Sequence, residues 1–333
     1  MRSCFTTVFL PADLGLGSAP AEGLALGRLR LRGVHRQGPF ILEAAYELAP
    51  RVEDRGILGT GLLPRPSAAD YRLVDFGQRL YPGPGEQLGS FALRHNLDRL
   101  ELGFSLGPAD ISLGRQALAF GSARVVNPVD VVAPFTFEEI DKEERFGVDA
   151  VRLRIAAGAL SEVDVGAVLG EGLAFDKSAV YGRGRFYWSE TDIGPLAAVF
   201  RENVLLGLDL VRSFGGAGWW FEAAHTWAGA AGEYLADENY WGLSSGLDYS
   251  LGSFYGLVEY HFNSAGAAAE RQYLLNAFQT AYRAGGVYLL GRHYLAPGLN
   301  YPLTPLLNVG VQGLVNGVFS QFDVSCSKRI PIV

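Results

Sequence analysis

The chain has 333 residues, 49% hydrophobic and 19% charged, with a formal net charge of -7. That acidic balance argues against nucleic acid as a partner, because general binders of the phosphate backbone carry a basic field. Two cysteines, Cys4 and Cys326, are too few for a disulfide framework or a metal cluster, and no apolar run approaches the roughly 20 residues of a membrane-spanning helix.

Residues 1–22 contain Arg2, a short apolar run from Phe5 to Leu10, and small residues at Ala19 and Ala21. Pro11 and Asp13 interrupt the run, so the segment reads either as a degenerate signal-like sequence or as a disordered tail. The stretch LGRLRLRG (26–33) then alternates Arg28, Arg30 and Arg32 with Leu29 and Leu31. Extended backbone shows successive side chains to opposite faces, which gives one basic and one apolar face. In FILEAAYEL (40–48), Glu43 and Glu47 share one face, and Leu42, Tyr46 and Leu48 share the other. A hairpin turn centred on Gln37-Gly38 predicts Arg32 opposite Glu43 and Arg28 opposite Glu47, with Arg30 diagonal to both. On the other face, Leu29 then meets Tyr46 and Leu31 meets Ala44.

The pattern recurs. DAVRLRI (149–155) sets Val151, Leu153 and Ile155 against Arg152 and Arg154, and SEVDVGAVL (161–169) sets Val163 and Val165 against Glu162 and Asp164. NVLLGLDLVR (203–212) opposes its leucines with Asp209. Residues 246–263 read as two strands turning at Gly252-Ser253, with Asp248, Glu259 and His261 on the polar side. Helical periodicity is confined to residues 269–283. Aromatic pairs fall near predicted strand ends: Tyr187 and Trp188, Trp219 and Trp220, Tyr240 and Trp241.

A soluble sandwich also alternates, but it sends its aromatics inward. Aromatics gathered at strand ends, with short connections alternating with long ones (49–69, 116–146, 228–239, 264–285), form the pattern of a transmembrane barrel. In lipid every backbone polar group must pair, which a closed antiparallel sheet achieves. At about 20 residues per strand and connection, the chain makes roughly 16 strands (14–18) with long extracellular loops and short periplasmic turns. The expected organisation is an all-β antiparallel transmembrane barrel over residues 23–325, preceded by the segment 1–22 and followed by an atypical tail, 326–333.

Charged side chains lining a pore set its selectivity. The lumen candidates are therefore Arg28, Arg30, Arg32, Arg152 and Arg154 among cations, with Glu43, Glu47, Asp164, Asp209, Glu222, Asp248 and Glu259 among acids, and His261. His225 and His261 are placed to approach Glu222 and Glu259 across strands. Residues 116–146 are too long for an ordinary turn, and long loops in compact structures tend to be functional. They join an apolar part (125–137) to the acidic run EEIDKEER. Two readings stand: the first half folds into the barrel and narrows it near Arg124 and Asp130, or the whole segment is an exposed loop.

Residues 113–135, LGRQALAFGSARVVNPVDVVAPF, resemble a segment of porin-like bacterial outer-membrane proteins related to alginate-export-type barrels. The stretches 246–267 and 291–311 are similar to later strands of the same group. The matching motif is Gly114-Arg115-Gln116 followed by Asn127, Pro128 and Asp130, which adds Arg115, Gln116, Asn127 and Pro128 to the constriction candidates. The resemblance covers roughly residues 23–323. It implies a Gram-negative outer-membrane barrel, with the lipid bilayer, small hydrophilic or charged solutes and the barrel assembly machinery as partners. It implies no particular solute and leaves the oligomeric state open. The ending SCSKRIPIV departs from the aromatic-ended final strand of such barrels, which suggests truncation or alteration there.

Other chemistry is weaker. GLSSG (242–246) matches the G-x-S-x-G nucleophile pattern at Ser244, but it runs into a strand where the elbow needs a helix. GPGEQLG (83–89) lacks dinucleotide-loop spacing and reads as a turn. The five histidines lack metal-ligand spacing, so no metal or cofactor is expected. The functional expectation is a porin-like channel. The alternatives are a plugged structural or adhesion barrel and, further off, an outer-membrane hydrolase (a phospholipase or protease).

Overall fold

Alternating sequence becomes extended backbone along most of the chain. The strands are β1 (Arg2–Val8), β2 (Glu22–Gln37), β3 (Phe40–Glu53), β4 (Arg79–Tyr81), β5 (Phe91–Leu106), β6 (Ala109–Ala117), β7 (Gly147–Ala156) and β8 (Glu162–Val168). They continue as β9 (Ala179–Trp188), β10 (Thr191–Phe200), β11 (Asn203–Phe214), β12 (Ala217–Ala228), β13 (Glu238–Leu251), β14 (Phe254–Asn263), β15 (His293–Thr304), β16 (Leu307–Val315) and β17 (Ser320–Arg329). The structure, a computed structural model, describes residues 2–8, 22–53, 71–74, 79–83, 86, 89–133, 145–232, 238–269, 272–276, 278–283, 286–304, 307–316 and 320–329.

All strand pairings are antiparallel and run in chain order, with β3 pairing directly to β5. The short β4 lies on the upper part of β5, where β6 no longer reaches. β1 pairs with residues 326–329 of β17 and residues 22–28 of β2, which links the sixteen strands other than β4 around the barrel. Antiparallel pairing of each strand with its chain neighbours satisfies the backbone in the way a bilayer requires of a sheet. Two sequence expectations change at the seam. Arg2–Val8 forms a strand inside the segment read as signal-like or disordered, and β17 runs past Cys326 into the segment read as a tail. A closing strand needs only extended backbone that can pair on both sides, a weak sequence signal.

One end of the barrel carries tight turns, such as Gly38-Pro39 and Gly252-Ser253, whose glycines sit at φ +56° and +60° where other residues are strained. The opposite end carries the long connections, including residues 118–146 and 264–292. The helical periodicity in 269–283 yields two single turns, α1 (Tyr273–Asn276) and α2 (Thr280–Arg283).

The β2–β3 register corrects the hairpin expectation. Gln37 pairs with Phe40 and Arg30 with Glu47, because the turn is centred on Gly38-Pro39. The shift moves each partner by two residues, so every side chain keeps its face. Arg32 and Glu43 still meet, as do Arg28 and Glu47, but as diagonals; Arg30 is the residue directly opposite Glu47. Leu29 pairs with Leu48 and Leu31 with Tyr46, and Leu31 is 63% exposed on the outer face.

The aromatic doublets are also split. Consecutive strand residues face opposite ways, so both members of a pair cannot lie in a membrane girdle. Trp188 and Trp241 face outward, whereas Trp220 and Tyr240 are buried inside. The interior is packed where Leu118, Phe120, Val129, Val131 and Val132 meet inward residues of β7 to β12, among them Val148, Tyr181, Leu196, Leu205 and Ala224. Val125 and Val126 extend this packing to Tyr294, Ala296 and Leu314 of β15 and β16.

Candidate functional site

Two sectors of the inner wall neutralise their charges differently. In the first, β2 to β9, guanidinium groups meet carboxylates on neighbouring strands. Arg30 contacts Glu47 at 3.1 Å and Asp98 at 2.9 Å, while Arg28 reaches Glu47 at 3.3 Å. Arg32 holds Glu43 with two bonds of 2.8 and 2.9 Å. Arg152 grips Asp164 at 2.9 and 2.6 Å, and Arg183 and the Tyr181 hydroxyl converge on the same carboxylate at 3.0 and 3.1 Å. Arg154 lies farther from Asp110, at 3.8 Å, with both groups exposed.

Asp98, Arg99 and Arg183 were not among the sequence candidates. A bulge between Ala45 and Tyr46 of β3 and Leu97–Arg99 of β5 turns both Asp98 and Arg99 into buried positions. There Arg99 bonds Asp98 at 2.6 Å and donates to the Arg145 carbonyl at 2.6 Å. Two adjacent charged residues inside an alternating strand are the sequence signal of that bulge.

In the second sector, the sequences of β12 to β15 contain no lysine or arginine. Asp209, Glu222 and Glu259, on β11, β12 and β14, are instead engaged by the loop that follows β6, with Glu222 bonded through Oε1 while its Oε2 is buried without a partner. Glu222 accepts the backbone N–H groups of Ser122 and of Ala123, the latter at 2.5 Å. Glu259 accepts those of Arg124 and Val126, each at 2.7 Å, that of Val125 at 3.2 Å, and the Trp220 indole N–H at 2.9 Å. Asp209 accepts the Ser122 hydroxyl. A run of backbone amides facing a carboxylate makes short, charge-assisted bonds.

Wall glycines complete the seat. A Cβ at Gly207 would lie 2.9 Å from Val129, and one at Gly242 would lie 2.8 Å from Pro128, so the loop fills space that any larger residue would take. Within the loop, Asn127 donates to the Phe120 carbonyl at 2.7 Å and accepts the Asp130 N–H at 3.2 Å. Asp130 pairs with Arg145 and accepts the Ala133 N–H at 3.3 Å. Burial pushes the Asp130 carboxyl above the ordinary aspartate range, and Arg145 opposes that shift. Arg124, half exposed, reaches Asp248 at 3.6 Å and lies 5.4 Å over the Trp220 ring. Asp248 also accepts the Tyr255 hydroxyl at 2.9 Å.

The sequence candidates therefore divide. Arg28, Arg30, Arg32, Glu43, Glu47, Arg152, Arg154 and Asp164 belong to the arginine sector. Asp209, Glu222, Glu259 and His261 face inward too, and there the loop packs against them. Glu222 and Glu259 retain 0% and 1% of their surface. Arg124, Asn127, Pro128 and Asp130 lie in the seated loop. Arg115 and Gln116 do not: Arg115 is locked to Asp149 at 2.8 and 2.9 Å and to the Leu97 carbonyl at 3.0 Å, and Gln116 donates to the Ala150 carbonyl at 3.1 Å. Most of the acidic run 138–145 lies outside the described residues.

Ser244 sits in mid-strand on β13, 2.8 Å from His261 Nδ1. Its hydroxyl donates to the Val126 carbonyl at 2.6 Å, so the imidazole must donate to the serine. That polarity is the reverse of a nucleophile and its base. His225 faces outward beside Trp227 and Trp241, on the face opposite to Glu222, so the proposed approach of the two fails. Glu86 closes a turn on the Gly83 N–H at 2.9 Å, in keeping with the turn reading of that glycine-rich stretch.

No sequence-family description matches this chain, and no curated protein does. Solved structures do. A triple mutant of the Rhodopseudomonas blastica porin is 10% identical, with 98% of this chain and 97% of that chain covered and a TM-score of 0.56. Another mutant of that porin has the same identity and coverage with a TM-score of 0.57. A structure described under asymmetric conductivity of engineered proteins is 9% identical, with the same coverage and a TM-score of 0.56. At such identity the likeness is one of fold: the chain is a porin-like transmembrane β-barrel. These matches do not carry the alginate-export-type kinship.

Proposed function

We propose that the protein is a channel of the Gram-negative outer membrane through which small hydrophilic solutes pass, delivered there by the barrel assembly machinery. The observation that supports this most is the loop 118–133, folded against the inner wall rather than outside it, where it narrows the lumen. The long connections then lie on the extracellular side and the tight turns on the periplasmic side. Arg28, Arg30, Arg32, Arg152 and Arg154, with their partner acids, form one side of the passage; Arg124 and Asp248 form the other. Charges fixed on facing walls orient polar solutes as they cross. The Gly114-Arg115-Gln116 and Asn127-Pro128-x-Asp130 stretches support kinship with alginate-export-type barrels within this class. The reading is non-enzymatic, in keeping with the polarity of the Ser244–His261 pair.

The plugged barrel is the second reading, and the extent of apolar packing between the loop and β7 to β16 favours it. Reconstitution into planar bilayers separates the two: discrete conductance steps are the expected result, and their absence would select the plug. Deleting residues 125–133 should raise the unitary conductance, and an unchanged value would overturn the narrowing role.

A further inference from the structure

Four of the five histidines face outward from the barrel, where an imidazole in the hydrocarbon zone is unfavourable. Two of them are built alike. The Tyr46 hydroxyl lies 2.8 Å from His95 Nδ1, and the Tyr260 hydroxyl lies 2.7 Å from His293 Nδ1. In each case the histidine pairs directly with the residue two places beyond the tyrosine, Leu48 for His95 and Phe262 for His293. The ring centroids are 5.8 and 6.2 Å apart. Each tyrosine stands six residues along its strand from an outward phenylalanine beside a tight turn, Phe40 on β3 and Phe254 on β14. The two dyads thus stand at matching levels on separate parts of the wall, toward the long-loop end. His225, stacked 4.3 Å from Trp241, marks the same end of the outer face.

We infer that the two tyrosine–histidine dyads are contact sites for phosphate-bearing lipid headgroups of the leaflet at the long-loop end. In the tautomer in which the phenol donates to Nδ1, the proton stays on Nε2, and each ring directs a donor away from its tyrosine. That nitrogen lies on a bilayer-facing surface, where a headgroup phosphate is the anionic acceptor that a bilayer supplies. A bond to a charged acceptor is stronger than one to a neutral sugar or ester oxygen. Duplication of the dyad argues against incidental satisfaction of one tyrosine, and neither dyad touches the lumen, so the inference stands apart from conduction.

The test is native mass spectrometry of the detergent-purified barrel, titrated with short-chain phosphatidylglycerol and, separately, with a phosphate-free diglucosyl diacylglycerol. His95→Phe/His293→Phe should weaken phosphatidylglycerol binding about tenfold, the loss of one charge-assisted bond at each dyad. Binding of the glycolipid should not change. His35→Phe, on the outer face near the tight turns, should leave both titrations unchanged. His95→Gln/His293→Gln, which keeps a donor, should recover most of the affinity and guards against misfolding of the phenylalanine variant. Unchanged phosphatidylglycerol binding in the double phenylalanine variant, an equal loss in His35→Phe, or a parallel loss of the glycolipid would each overturn the inference.

Discussion

The arginine sector on β2 to β9 and the carboxylate sector on β11 to β14 solve the same problem in opposite ways. Both place acidic groups inside a barrel wall, where a polar group without a partner is unfavourable. In the first sector the counter-charges are guanidinium groups of the wall's own strands, and the loop adds one contact, from Arg183 to the Ala119 carbonyl. In the second most partners are backbone amides of a loop some hundred residues earlier in the chain. That wall is finished only when residues 122–126 dock on it. Removing a charge should therefore weaken the wall in one sector and release a mobile element in the other.

The largest effect is expected from Glu222→Leu/Glu259→Leu. It leaves several loop amides and the Trp220 indole without acceptors, at about 1–3 kcal/mol for each buried group. Trypsin should then cleave after Arg124 in the folded barrel, and the unitary conductance should rise. Asp164→Ala strands Arg152 and Arg183 together, an expected loss of about 3–5 kcal/mol in barrel stability by denaturant titration. Its loop should stay protected from trypsin. If both variants exposed the loop alike, the contrast between sectors would be wrong.

Smaller changes sharpen the same contrast. Gly242→Leu fills the notch that receives Pro128 and should weaken loop docking by about 1–3 kcal/mol, read as faster tryptic cleavage, with the barrel otherwise stable. Glu43→Gln removes the most exposed of the bidentate pairs and should change stability by less than about 1 kcal/mol, with its effect confined to ion selectivity.

Much of this was legible from alternation alone. In the β2–β3 hairpin the arginines and glutamates keep a common face, because a two-residue slip at Gly38-Pro39 preserves parity. The bulge at Asp98 and Arg99 was missed because it breaks that parity for two residues. The carboxylate seat was half legible: Asp209, Glu222 and Glu259 read as inward acids, but the partners of Glu222 and most of those of Glu259 are backbone N–H groups, which every residue carries and no motif marks. Gly207 and Gly242 looked like ordinary strand glycines until Val129 and Pro128 were seen to fill the space above them. The split doublets, Trp219-Trp220 and Tyr240-Trp241, show the reverse error, in which local clustering outweighed strand geometry.

The most direct test of the seated loop is a lock. A Cβ at Gly207 would stand 3.4 Å from Val129 Cβ, close to disulfide spacing. Val129→Cys/Gly207→Cys, with Cys4 and Cys326 replaced by serine, should oxidise without disturbing assembly. Combined with Glu222→Leu/Glu259→Leu, its single-channel conductance should match that of the unmodified barrel when oxidised and rise on reduction. A conductance that ignores the state of the disulfide would contradict the claim that these carboxylates hold the loop across the lumen.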